Sequence, residues 1–304
     1  MNAIEWTNAL KEESHRLGFD LVGAAPAVVG SSLERLENWL AEGFAGRMSY
    51  FADRLDAYRR LDLVLDGVRS VLMLGVNYRT VEPVAPGPGQ SRVSRYAWGD
   101  DYHELIRSRL HRLADFHRRC KPEAGVRVVV DTAPLLERHF AQQAGLGWIG
   151  KNAMLVNETF GSWVFLAGLL TTEPLAFDRP VEDRCGSCRR CLDACPGGAL
   201  VAPRRLDARK CVSYLTVELR GPIEPELHRA CTGRLFGCDA CQEACPWNRQ
   251  TPVSRESAFQ PGEGMNPVDL KLVTSLDDES FRRRFRHTPL WRARREGILR
   301  NASL

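Results

Sequence analysis

The sequence lacks any long hydrophobic run. Its longest apolar stretches, VLMLGV (71–76) and WVFLAGLL (163–170), are far shorter than the roughly 20 residues that a membrane-spanning helix needs. The N-terminus also lacks the basic start and apolar segment of a signal peptide. We therefore expect a cytoplasmic protein that has no membrane partner.

The sequence also lacks a dinucleotide fingerprint in its proper context. GLGWIGKN (145–152) matches G-x-G-x-x-G, but the preceding residues 133–144 have apolar side chains at helical spacing. The glycines would therefore end a helix, with Gly145 as a left-handed cap, whereas a pyrophosphate site needs them to open one. No acidic residue follows about twenty positions on to bind a ribose. A D-x-H-x-x-G cobalamin motif is absent as well.

Lysine is scarce, so most of the positive charge is arginine, within a net charge of +4. Residues 281–300 hold eight arginines against one glutamate. Clustered arginine is suited to phosphate, but a solvated helix face gives the same pattern, and both interpretations stay open here. The arginines that could contact RNA phosphates are Arg282, Arg283, Arg284, Arg292 and Arg295.

Cysteine is abundant in one segment only. Nine of the ten cysteines lie within residues 185–245, and without a signal peptide they indicate metal binding rather than disulfides. One run is C-x2-C-x2-C-x3-C-P and a second is C-x2-C-x3-C-P, a spacing typical of two 4Fe–4S clusters that exchange one ligand. Two zinc sites are the alternative that the C-x-x-C spacing permits. Cys120 lies outside the segment and is expected to be a small buried side chain.

Ligand exchange between the runs divides the cysteines into two sets. The first cluster would take Cys185, Cys188, Cys191 and Cys245. The second would take Cys195, Cys238, Cys241 and one more thiol. Spacing alone leaves that last ligand open between Cys211 and Cys231.

The chain divides into three predicted regions. Residues 1–180 form an α/β region, residues 181–250 a ferredoxin-like double-cluster module, and residues 251–304 a linker with a basic helical tail. Strands are predicted in 68–78, 126–134 and 161–172, and a helix capped by Asp100 or Asp101 follows the first of them. The last helix is expected to start at Thr288 and Pro289 and to run to Leu304 without a stop signal, so the native chain could continue.

Several longer motifs resemble the epoxyqueuosine reductase family. They are RYAWGDDYH (95–103), VVVDTAPLLER (128–138), GLGWIGKNAMLV (145–156), CGSCRRCLDACPGGALVAPRRLDARKCVSYLT (185–216) and GCDACQEACPWN (237–248). The resemblance implies a nitroreductase-like α/β cobalamin domain, as in reductive dehalogenases, and two 4Fe–4S clusters with Cys211 as the remaining ligand. It implies that base-off cobalamin reduces the epoxide of epoxyqueuosine at the tRNA wobble position.

The resemblance also assigns individual residues. Asp131 would be the proton donor, with its pKa raised by desolvation; an N-cap of the following helix is the alternative role. Gly145, Gly147 and Gly150 would let the backbone approach the corrin ring, or would only form a helix cap and a tight turn. Arg59 is the alternative to Arg60 in the set of expected cobalamin contacts. That set is Arg60, Ser94, Asp131, Leu155, Leu166, Val212, Ser213 and Tyr214.

The implied partners are a tRNA that carries epoxyqueuosine in its anticodon loop and an external low-potential donor of the ferredoxin or flavodoxin type. We expect a monomer. Two other functions stay open at this point. The chain could be a cobalamin-dependent enzyme of the reductive dehalogenase type, or an iron–sulfur electron-transfer protein without chemistry of its own.

Overall fold

The computed structural model describes residues 1–304, which form a mixed α/β protein. The strands are β1 (Leu21–Pro26), β2 (Ser70–Asn77), β3 (Gln90–Val93), β4 (Val126–Val129), β5 (Trp148–Ile149), β6 (Leu155–Val156), β7 (Val164–Thr171), β8 (Leu200–Ala202), β9 (Arg205–Leu206), β10 (Arg234–Phe236) and β11 (Val268–Asp269).

The α-helices are α1 (Ala3–Arg16), α2 (Ser32–Ala41), α3 (Tyr50–Asp53), α4 (Leu55–Arg59), α5 (Tyr102–Cys120), α6 (Glu137–Gln143), α7 (Arg190–Asp193), α8 (Pro225–Cys231), α9 (Ala240–Glu243), α10 (Leu270–Ser275), α11 (Asp278–Phe285) and α12 (Arg294–Ala302). None of them combines the length and the apolar composition that a bilayer crossing requires.

The main sheet has the order β1-β2-β7-β4, and all its strands pair antiparallel. Successive side chains of a strand face opposite sides, so the fully buried strand β2 serves two cores. Leu72 and Leu74 pack with residues of α1 and α5 on one face. Val71 and Met73 pack with residues of α6 on the other. The three predicted strands of this region are therefore confirmed, within two layers of helices.

Two local predictions about the helices of this region are also confirmed. Helix α5 begins after Asp101, whose side chain accepts a hydrogen bond from the backbone N–H of His103 at 3.0 Å. Helix α6 ends before Gly145, which has a φ of +76°. The prediction for Cys120 is wrong, because this residue ends α5 with its side chain exposed to solvent.

The C-terminal segment, residues 251–304, packs against the rest of the protein. Phe281, Phe285 and Ile298 share a buried cluster with Leu235 and Phe236 of β10. The single helix expected from Thr288 is also wrong: a 3-10 turn covers Pro289–Ala293, and a φ of +60° at Arg294 separates it from α12. The division of the chain near residues 180 and 250 stays a prediction.

Candidate active site and cysteine module

Asp131 lies just beyond the end of β4 in a strained backbone conformation. Its φ is +54°, in the left-handed region that few residues other than glycine, asparagine and aspartate occupy. The side chain is 55% exposed, and Oδ2 is 3.0 Å from Nε2 of His103. Helix α6 begins only at Glu137 and has no side-chain cap, so the N-cap role for Asp131 is wrong.

His103 links Asp131 to a second carboxylate. It occupies the first turn of α5, and its Nδ1 is 2.7 Å from Oδ1 of Asp101, the residue that caps the same helix. Its two ring nitrogens therefore face two carboxylates, Asp101 and Asp131. This arrangement holds the imidazole at a fixed angle, with one nitrogen directed at Asp131.

In the hydrogen-bonded group Asp101–His103–Asp131, His103 is the residue whose protonated form is favoured. Burial opposes the charged imidazolium, but hydrogen bonds and the charges of Asp101 and Asp131 outweigh it and raise the pKa of His103 to about 9. Desolvation acts to raise the pKa of Asp131, yet His103, with Arg292 and Tyr102, holds that pKa below its usual value. The expectation of a raised Asp131 pKa is therefore wrong, because a cationic neighbour outweighs desolvation.

Glu137 stores a second proton beside Asp131. Its Oε1 accepts a hydrogen bond from the backbone N–H of Asp131 at 2.7 Å. Burial, followed by the negative charge of Asp131, raises the pKa of Glu137 to about 8. The site therefore holds two exchangeable protons at neutral pH, one on each side of Asp131.

Residues from the C-terminal part of the chain face the same site. Arg292 pairs with Glu218 at 2.8 Å, and its positive charge contributes to the lowered pKa of Asp131. Tyr50 also lies here, and burial together with Glu218 raises its pKa to about 12. The candidate phosphate contact Arg292 is therefore already paired beside Asp131. Arg295 pairs with Asp278, and Arg284 donates to the carbonyl of Glu263.

The expected cobalamin contacts differ in exposure. Arg60 lies on the surface in an ion pair with Asp62 at 2.6 Å, and Arg59 pairs with Glu37 at 2.8 Å. Leu166 and Ser213 are half-buried. The remaining contacts apart from Asp131 are buried, namely Ser94, Leu155, Val212 and Tyr214.

The glycine loop packs against the protein itself. A Cβ on Gly147 would lie 2.2 Å from the carbonyl oxygen of Val156, and one on Gly145 would lie 2.7 Å from that of Arg179. Close backbone packing therefore explains Gly145 and Gly147, and the expected approach of this loop to a corrin ring stays a prediction. The cap and tight turn are what the structure contains.

The two residues after these glycines offer hydrogen-bond donors. Lys151 donates through Nζ to the carbonyl oxygens of Gly186 (2.6 Å) and Cys188 (2.9 Å), which ties the loop to the first cysteine run. The amide Nδ2 of Asn152 is buried without any partner. A buried donor without a partner costs free energy unless a ligand supplies an acceptor, and the amide side chains of cobalamin are acceptors of that kind.

All ten cysteines are free thiols, and the charges that act on Cys191, Cys245 and Cys241 relate eight of them in two sets. In one set, the negative charge of neighbouring thiolates raises the pKa of Cys191 and Cys245, after the larger effect of burial. The neighbours concerned are Cys185 and Cys188, with Cys191 for Cys245. The second set surrounds Cys241, whose pKa is raised well above its usual value by burial and then by Cys238, Cys211 and Cys195. A cation would stabilise these thiolates, as metal ligation requires.

Cys231 is not among the thiols that shift the pKa of Cys241 or Cys245. It is fully buried among aliphatic side chains that include Val212 and Ile223, and the charges that act on it are those of Arg300, Arg234 and Cys211. No three cysteine, histidine or carboxylate side chains of the protein converge in the way that a single metal ion requires.

Two protein-family models match the chain. Residues 184–248 match the 4Fe–4S double cluster binding domain, which makes this region an iron–sulfur module and sets the zinc alternative aside. Residues 59–132 match the family described as epoxyqueuosine reductase QueG, DUF1730, and they include both His103 and Asp131.

Curated relatives match the chain over nearly its full length. An epoxyqueuosine reductase of Gloeobacter violaceus is 42% identical over 302 residues, which cover 96% of this chain and 93% of that protein. One of Pseudomonas aeruginosa is 40% identical over 301 residues, which cover 97% of this chain and 83% of that protein.

Solved structures support the same fold. An epoxyqueuosine reductase with an epoxyqueuosine-modified tRNA stem loop superposes with a TM-score of 0.90 at 30% identity, covering 98% of this chain and 80% of that one. A Bacillus subtilis structure with the same values and coverage shows an aspartate catalytic loop swung out of the active site. A catabolic reductive dehalogenase (TM-score 0.50, 17% identity, 83% and 33% coverage) shares the fold alone. The predicted fold class is confirmed.

Proposed function

This chain belongs to the epoxyqueuosine reductase family of oxidoreductases, and on that premise we propose that it reduces epoxyqueuosine to queuosine at the wobble position of tRNA. The contact between His103 and Asp131 carries the proposal, because a proton is held where a leaving oxygen would need it. Such a reaction on tRNA belongs in the cytoplasm. The direct test is conversion of a modified anticodon stem loop by the reduced protein, followed as loss of one oxygen by mass spectrometry.

The chemistry requires two electrons and two protons. The carbon–oxygen bonds of the epoxide break, an alkene forms, and the oxygen leaves as water. Asp131 is the proton donor in this proposal, and it receives the proton that rests on Nε2 of His103. Asp101 positions the imidazole and favours its charged form. Glu137, protonated near neutral pH, is a second source of protons through the same loop.

We assign the electron path to the two thiol sets. One 4Fe–4S cluster would be held by Cys185, Cys188, Cys191 and Cys245. The other would be held by Cys195, Cys211, Cys238 and Cys241. The neighbouring thiols in each set support this division. A ferredoxin- or flavodoxin-type donor would supply the electrons one at a time. The donor must have a low potential, because the potentials of such clusters extend down to roughly −700 mV.

Cobalamin is the proposed acceptor of those electrons, and in its Co(I) state it supplies a strong two-electron reductant. The unpartnered amide of Asn152 and the solvent-exposed side chain of Asp131 fit such a ligand. This proposal keeps the expected cobalamin contacts, which are Ser94, Leu155, Leu166, Val212, Ser213, Tyr214 and Arg60. No observation favours a dehalogenase or a purely electron-carrying role.

Cobalamin bound by this protein should have no nitrogen ligand beneath the cobalt, because the sequence has no D-x-H-x-x-G motif to supply a histidine. Paramagnetic resonance of the Co(II) form measures this directly. Hyperfine splitting from an axial nitrogen would contradict the base-off assignment.

The rate of reduction should fall as pH rises through about 9, the pKa of His103. The partner carboxylates raise this pKa above its ordinary value of 6.5, so the imidazolium persists through neutral pH and is lost as pH passes about 9. Single-turnover rates of pre-reduced protein between pH 6 and 10 test this.

Two variants separate the two proton sources. His103→Gln should remove the decline near pH 9, whereas Glu137→Gln should keep it, because glutamine still accepts the hydrogen bond from the backbone of Asp131. A decline that survives in His103→Gln and disappears in Glu137→Gln would assign the stored proton to Glu137 instead.

A further inference from the structure

A cavity of about 390 Å³ is lined by the segment that follows Asp131. Its walls are the edge strand β4, the loop residues Thr132, Ala133 and Pro134, and three arginines from separate elements. Arg54 comes from the turn between α3 and α4, Arg107 from α5 and Arg127 from β4. The cavity therefore shares its walls with the segment on which the proposed chemistry depends.

The three arginines have no acidic partner. None of them takes part in an ion pair, in contrast to Arg292 beside Asp131. Arg54 donates only to the carbonyl oxygen of Thr132, at 2.8 Å, and Arg107 and Arg127 make no side-chain hydrogen bond. Like charges gathered in a recess repel one another unless an anion lies between them. The arrangement therefore favours the binding of an anion.

Arginine in a concave site is suited to phosphate. Its planar guanidinium presents parallel N–H groups that match two phosphate oxygens, and three guanidiniums from different elements can surround one group. Strand β4 lies at the edge of the sheet, so the cavity opens to solvent and can admit a long chain from outside.

The position of Arg107 relates the cavity to the active site. Arg107 lies one helical turn after His103 on the same face of α5, about 6 Å along the axis. Its charge also contributes to the lowered pKa of Asp101. A polymer bound in the cavity would therefore pass directly beside the Asp101–His103–Asp131 chain.

We propose that Arg54, Arg107 and Arg127 bind a backbone phosphodiester of the substrate RNA next to the modified nucleotide. This inference rests on the proposed function and specifies how its substrate is held. Phosphate binding by Arg54 would also affect the position of the loop that carries Asp131. Because Arg54 holds the carbonyl of Thr132, a phosphate bound to Arg54 keeps the Asp131 loop against α5.

The test is RNA binding by cluster- and cobalamin-loaded protein at several salt concentrations. The double variant Arg107→Gln and Arg127→Gln should bind an epoxyqueuosine-modified anticodon stem loop about tenfold more weakly near 0.15 M salt. The slope of log K against log salt should shrink by up to about 0.7, the contribution of one neutralised phosphate in a single strand. Arg112→Gln is the matched control, since Arg112 is exposed on α5 outside the cavity, and it should leave both values unchanged.

Each outcome has one meaning. An unchanged slope in the double variant, with wild-type protein that binds and converts the RNA, overturns the phosphate site and leaves the proposed function intact. Loss of cobalamin affinity with intact RNA affinity, measured by absorbance titration, would also overturn it, because the cavity would then serve the phosphate of cobalamin. Wild-type protein that neither binds nor converts the stem loop would refute the proposed function itself.

Discussion

Asp131→Asn is expected to lower the single-turnover rate of epoxide reduction by about 10²–10⁴-fold, the usual contribution of general acid catalysis. Asparagine keeps the size of the side chain and tolerates the φ of +54° at this position, but it cannot transfer a proton. Iron content, cobalamin binding, RNA affinity and melting temperature should therefore stay near those of the wild type. Pre-reduced protein mixed with modified stem loop gives the rate without interference from the electron donor.

Two further variants make this result specific. Asp115→Asn changes an exposed carboxylate on α5 that pairs only with Arg118, and it should be silent. Asp131→Ala should lose the same activity and also some stability, because alanine fits the left-handed conformation less well. Full activity in Asp131→Asn would end its assignment as proton donor and would leave His103 as the direct source.

Cys211→Ala should remove one of two clusters, so iron content falls from about eight to about four atoms per chain and turnover is abolished. The thiol of Cys211 lies with those of Cys195 and Cys241, whereas Cys231 is buried among aliphatic side chains. Cys231→Ala is the matched control and should keep all the iron, with a modest loss of thermal stability from the cavity it creates. Iron analysis of anaerobically purified protein decides between them. Iron loss in Cys231→Ala with full iron in Cys211→Ala would reverse the assignment.

The sequence predicts best what depends on local pattern. The strands around residues 71–76 and 164–170, the cap of α5 by Asp101 and the end of α6 at Gly145 all follow from neighbouring residues, and the structure contains them. The cysteine spacing likewise indicates an iron–sulfur module, which the family model confirms. These features need no information about distant contacts.

The protonation of the site depends on distant contacts and was therefore missed. His103 lies within RYAWGDDYH, but nothing in that motif places it 3.0 Å from Asp131, which is 28 residues away. The same contact reverses the expected direction of the Asp131 pKa. The pattern Asp-x-His at a helix start was the one available signal. The packing reason for Gly147 was missed in the same way, since the atoms that require a glycine there belong to Val156 on the following strand.

The interleaving of the two thiol sets has a consequence for biosynthesis. In the proposed ligand sets, one cluster needs Cys245 and the other needs Cys241, although each set begins before residue 200. During translation neither proposed set is complete until almost the whole cysteine-rich segment has left the ribosome. On this assignment both clusters can be completed only at a late stage of synthesis, within four residues of one another.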